Sequence, residues 1–176
     1  MNSLDITGSF IIGGIVLFTL MAIFFRFTTS SQSAIINEFT QSSVTNVAQI
    51  IDYDFSKIGY RVAAANKITS FDSSSISFLA DLNNDGTTDS VSYFTRTVGG
   101  YLKLVRRTSL TTPAEWEVTI DDFDIQAFDS LGAATIAVPT IRSVQVGLLL
   151  NNDIFTTDST EIIGAYWEKR YNIRNF

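Results

Sequence analysis

The chain has 176 residues, enough for one globular domain with an extension and too few for two ordinary domains. Its formal charge is −6, and it contains no His and no Cys. That balance excludes a basic nucleic-acid-binding face, the usual zinc sites, imidazole bases, thiol nucleophiles and disulfides.

From Ile6 to Phe25 no charged residue occurs, and Phe10 to Phe25 reads FIIGGIVLFTLMAIFF. A run of about 20 uncharged, mostly apolar residues is enough to cross a ~30 Å hydrocarbon core as a helix. A core helix of a soluble protein would show a polar face, and this run shows none. A removable signal peptide is the competing reading; against it, the run is long for an h-region and no Lys or Arg precedes it. Arg26 closes the run and, taken alone, places the following domain in the cytoplasm by the positive-inside rule. A basic leader removed before Met1 would reverse that orientation. Phe24-Phe25-Arg26-Phe27 reads as membrane-boundary aromatics rather than an electron-conducting track.

The helical pattern continues past the apolar run. No Gly or Pro occurs between Gly14 and Gly59, and Ile36, Phe39, Val44, Val47, Ile51, Phe55, Ile58 and Val62 recur mostly at three- and four-residue steps. A single helix to about Arg61 would be roughly 90 Å long, more than one small domain can bury. From Phe27 to Ile51 the only charge is Glu38, the remaining polar positions being Ser, Thr, Gln and Asn. A solvated lone helix or a coiled coil carries interleaved charges. An uncharged polar helix suits close packing against copies of itself, where small hydroxyls allow near approach.

The opening Met1-Asn2-Ser3-Leu4-Asp5-Ile6 and the octet Asp54-Phe55-Ser56-Lys57-Ile58-Gly59-Tyr60-Arg61 together resemble the type IV pilin and type II secretion pseudopilin superfamily. The opening matches the family's acidic fifth position, with Asp in place of the usual Glu. The octet is similar to the end of the long helix in minor pilins and J-type pseudopilins. The resemblance implies that Asp5 pairs with the Met1 amine of a neighbouring subunit, that this amine follows a cleaved leader and is methylated, and that Gly13 and Gly14 sit where the helix partly melts on polymerisation. Pairing has a physical rationale, since a lone carboxylate and a lone ammonium are each costly in an apolar filament core. Without such processing, Asp5 reads as an acid facing the helix dipole.

Beyond Gly59, the segments Ile76–Ala80, Val91–Phe94, Tyr101–Val105, Trp116–Ile120, Phe123–Ala127, Val144–Leu149 and Tyr166–Ile173 are rich in β-branched and aromatic residues and are separated by Asn/Asp/Gly clusters. Six or seven strands in an antiparallel meander are expected, packed on Val47 to Val62 of the helix. The expected class is α+β, with residues 1–28 as the transmembrane and assembly helix, 29–62 as its amphipathic continuation and 63–176 as the β-rich head.

One constellation carries ligand chemistry. Asp81, Asn83, Asp85, Thr87 and Asp89 fall at positions one, three, five, seven and nine of a loop with Gly86 at the sixth, the front half of an EF-hand-type calcium loop. Ser92 occupies the twelfth position, where a bidentate Glu belongs. A hairpin turn built from residues tolerant of positive φ explains the same letters. No cofactor is required by either reading; a structural Ca²⁺ is the one candidate.

With no phosphate loop, nucleophile elbow or imidazole, catalysis has no visible carrier. The expectation is a structural subunit of a pilus-like filament, held in the inner membrane before assembly and extracellular after it, with itself or related pilins as partners and no nucleic acid. A secretion pseudopilin and a membrane-tethered, calcium-dependent binding module are the alternatives.

Overall fold

A computed structural model describes residues 3–110, 114–151 and 164–173, without the side chains of residues 3–6, 33, 36, 37, 114 and 151. The class is α+β. One α-helix, α1 (Ser3–Ser56), precedes β1 (Ile68–Asp72), β2 (Ser75–Ala80), β3 (Asp89–Val98), β4 (Tyr101–Thr108), β5 (Ala114–Thr119), β6 (Asp122–Phe128), a 3₁₀ turn at Val138–Thr140, β7 (Ser143–Asn151) and β8 (Gly164–Asn172). The chain divides into two compact units, Met1–Phe39 and Thr40–Phe176. The division falls within the stretch 29–62.

The described part of the first unit is helical throughout, as a segment free of Pro and rich in Ile and Phe allows. Its threonines return their hydroxyls to the backbone. Thr19 donates to Ile15 O at 2.8 Å, and Thr28 and Thr29 donate to Phe24 O and Phe25 O at 2.9 Å. These hydroxyls are thereby satisfied without water. Thr7–Gln32 is long and apolar enough to cross a membrane, and none of it is buried. It is a candidate membrane anchor or signal sequence.

In the second unit the remaining turns of α1 bury Thr40, Val44, Val47, Ala48, Ile51 and Phe55 on one face. Phe39, expected on that face, is 68 % exposed. The reason is angular: a five-residue step from Phe39 to Val44 turns about 140° around a helix of 3.6 residues per turn. The α-helix also ends at Ser56 rather than near Arg61. Lys57 N–H bonds to Asp54 O (3.1 Å) and Ile58 N–H to Phe55 O (3.3 Å), tightening the last turn. Gly59 and Arg61 then take positive φ, and Gly59 N–H turns away to Leu79 O at 2.8 Å.

The strands form two antiparallel sheets, β1-β2-β3-β4-β5 and β6-β7-β8. The expected single meander is corrected on two points. Eight strands stand among the described residues, β1 being the addition, and the chain changes sheet between β5 and β6. Ile120 N–H still donates to Leu102 O in the first sheet (3.0 Å), whereas Asp121 N–H donates to Leu149 O in the second (2.9 Å). Consecutive amides thus serve different sheets, a switch that needs no Gly or Pro and leaves no turn signal. The hairpin between β3 and β4, by contrast, is closed by Gly99 and Gly100 at φ +63° and +86° between paired Val98 and Tyr101.

One core joins the helix and both sheets. The Phe55 ring lies 5.4 Å from each of Phe78, Tyr93 and Tyr171, centroid to centroid. Phe78 and Tyr93 belong to the first sheet and Tyr171 to the second, so Phe55 holds both sheets to the helix.

Candidate functional site

The apolar helix is the first candidate. Met1 lies outside the described residues; Asp5 is within α1, but its side chain is outside them, as is any Met1–Asp5 contact. Gly8, Gly13 and Gly14 are helical, and a Cβ at any of them would meet nothing within 4 Å. Glycine in a helix costs about 1 kcal/mol relative to Ala, and no packing contact among the described residues offsets that cost.

The second candidate is the loop between β2 and β3, which the turns after α1 hold in place. Asp81 N–H donates to Tyr60 O at 3.0 Å. Tyr53 Oη donates to Leu82 O at 2.7 Å, and Lys57 Nζ donates to Leu82 O (2.5 Å) and Asn84 Oδ1 (3.3 Å). Within the loop, Asp81 Oδ2 accepts from Gly86 N–H at 3.1 Å, with Gly86 at φ +88°. Buried Asp89 accepts from Leu82 N–H at 3.1 Å. Asn83 Oδ1 accepts from Asp85 N–H (3.1 Å), and Asp85 Oδ2 accepts from Asn83 Nδ2 (2.7 Å). The Thr87 hydroxyl and its N–H both donate to Asp85 Oδ1. These Thr87 and Asn83 contacts hold the Asp85 carboxyl below its ordinary pKa. The structure therefore brings Asp81, Asn83, Asp85, Thr87 and Asp89 into one loop. No group of three carboxylates placed to hold a metal occurs among the described residues.

A third constellation is absent from the sequence reading. Asp54, fully buried, accepts from Arg106 Nε at 2.6 Å through Oδ2 and from Arg106 Nη2 at 3.0 Å through Oδ1. Tyr93 Oη donates to the same Oδ2 at 2.6 Å. Burial opposes the Arg106 charge, but the Asp54 hydrogen bonds and charge outweigh it and hold its pKa above the ordinary value. The signal was present. Asp54 lies three residues after Ile51 and four before Ile58, within the apolar stripe, where an acid needs a partner.

Comparison with known proteins returned no matching family model, curated protein or solved structure.

Two open grooves flank the Thr40–Ser56 turns. The larger, about 620 Å³, is lined by Asn46, Gln49, Ile50, Tyr53, Arg106 and Trp116 and has Asp54 beneath it. The smaller, about 290 Å³, lies between Ala48, Asp52, Trp167 and Lys169.

Proposed function

We propose that this chain is a structural subunit of an extracytoplasmic, type IV pilus-like filament, held in the membrane and then polymerised through its N-terminal helix. One observation carries the reading: Thr7–Gln32 is long and apolar enough to cross a membrane and none of it is buried, while the Thr40–Phe176 unit closes a core of its own. Such a helix needs an apolar environment from outside the chain, and lipid followed by copies of the same helix supplies it. The open surroundings of Gly8, Gly13 and Gly14 and the scarcity of charge from Phe27 to Ile51 support close packing between copies.

Asp5 is the residue that tests this reading. Every residue from Ile6 to Phe25 is uncharged, so a buried Asp5 carboxylate has no cation nearby in its own helix before Arg26. In a polymer the amine of a neighbouring Met1 offsets its desolvation. Asp5→Ala is expected to leave membrane insertion and the fold of the head intact but sharply reduce filament recovered by shearing and sedimentation. Asp5→Glu, which keeps the charge, is expected to assemble. Normal filament yield from Asp5→Ala overturns the paired-charge assembly and leaves Asp5 as an acid facing the helix dipole.

A further inference from the structure

We propose that the Asp81–Asp89 loop is a calcium-binding site in which the buried Asp81 carboxylate is the anchoring ligand. Two independent observations converge. The spacing of oxygen side chains around Gly86 follows the first nine positions of an EF-hand-type loop, whose first acid is a direct ligand. Separately, the Asp81 side chain is 1 % exposed, and its Oδ1 has no hydrogen-bond partner. Its twin Oδ2 is already served by Gly86 N–H at 3.1 Å and by Arg61 Nη1 at 3.5 Å. The Gly86 bond directs the carboxylate into the loop. A buried acceptor without a donor costs about 1–3 kcal/mol, more when charged. A hard cation is the partner that the neighbouring oxygens can share.

The remaining ligands follow from the loop. By position in the loop, Asn83 Oδ1, the Asp85 carboxylate, the Thr87 carbonyl and Asp89 are the third, fifth, seventh and ninth ligands; Asp81, Asp85 and Asp89 are not gathered as a metal cluster in this structure, so calcium has to draw them together around Asp81. Asp85 is exposed, and its bonds to Thr87 and Asn83 are the ones that calcium replaces. Lys57 and Arg61 are the cations facing the loop; against Asp81, Asp85 and Asp89 they leave one negative charge in excess. That residual charge and Ser92 at the twelfth position predict a weak site, with Kd about 10⁻⁴–10⁻³ M, as in extracellular modules. Tyr53, Lys57 and Arg61 tie the loop to the end of α1 and the turns after it, so calcium stabilises that junction.

The proposal stands apart from the filament reading and is tested on the full-length chain in detergent micelles. Isothermal titration with CaCl₂ is expected to give a saturable single-site heat in that range, and calcium is expected to raise Tm relative to EGTA. Asp85→Ala, at an exposed position, is expected to abolish both responses while still melting cooperatively in EGTA, at a Tm lowered only by the lost bonds to Thr87 and Asn83. Asp81→Asn is expected to abolish binding as well; if that variant does not fold, Asp85→Ala decides alone. No saturable heat up to about 10 mM calcium, an order above the weak end of that range, overturns the proposal. So does binding undiminished in Asp85→Ala.

Discussion

Tyr93 and Tyr171 are both buried phenols, but they are satisfied differently. Tyr93 donates to Asp54 at 2.6 Å, whereas the Tyr171 hydroxyl, beside the Asp52 carboxylate, makes no hydrogen bond of good geometry among the described residues. Burial raises both pKa values; the Asp54 charge and hydrogen bond add to it for Tyr93, and Asp52 adds to it for Tyr171. The sign follows directly. Each folded pKa lies above the unfolded value of about 10, so the contribution to stability is complete below about pH 10 and is lost as pH rises above it. Tyr171→Phe removes a buried hydroxyl that makes no well-formed hydrogen bond and faces the Asp52 carboxylate. We expect stability at pH 7 to be unchanged or raised by up to about 1 kcal/mol, and the alkaline decline in Tm to become shallower than in the parent. Thermal melts at pH 7 and at about pH 10.5, just above the ordinary tyrosine pKa, measure both effects.

At the scale of elements, the attachment of α1 to the first sheet combines an apolar and a charged contact. Phe55 supplies the first, through Phe78 on β2 and Tyr93 on β3. Asp54 supplies the second, reaching across to Arg106 on β4 and Tyr93 on β3. Arg106 retains 18 % side-chain exposure, whereas Asp54 retains none. Removing the acid therefore strands a mostly buried guanidinium and a buried hydroxyl. Asp54→Ala is expected to cost about 3–5 kcal/mol, as for other buried pairs broken on one side. Asp54→Leu combined with Arg106→Met is expected to cost less than the two single changes added together. Urea denaturation of the four chains in a double-mutant cycle checks this, and strict additivity would show that the two residues are uncoupled. The salt bridges of Arg96, Lys103 and Arg107 with Glu115 and Glu117 lie on the exposed face of β3, β4 and β5, where each contributes little.

For the whole molecule, the core of the Thr40–Phe176 unit draws on helix residues only from Val44 onward. None of the described side chains of residues 7–28 belongs to it. Deleting residues 1–28 is expected to yield a soluble, monomeric, cooperatively melting protein, since Thr40–Ser56 and all eight described strands are kept. Light scattering for mass and circular dichroism for the strand signal measure the outcome. A truncated chain that cannot fold would mean that the N-terminal helix is part of the folding unit.

The helix and most of the strands were legible in the sequence because their signals are local. An uncharged run, a stretch without Gly or Pro from Ile15 to Ile58, and alternating apolar residues between Asn, Asp and Gly clusters each act over a few residues. Gly99-Gly100 announced its hairpin for the same reason, and the Asp81–Asp89 spacing announced its loop. What only the tertiary structure decided depends on partners distant in the chain. The choice of Arg106 as the ion pair of Asp54 spans 52 residues. The change of sheet at Ile120 and Asp121 rests on bonds to the Leu102 and Leu149 carbonyls, which no local pattern encodes. The end of α1 at Ser56 depends on Leu79 and Asp81 accepting and donating where the next helical turn would have formed. Local periodicity specifies which elements form; the satisfaction of buried polar groups, which requires the folded neighbours, specifies where they stop and how they join.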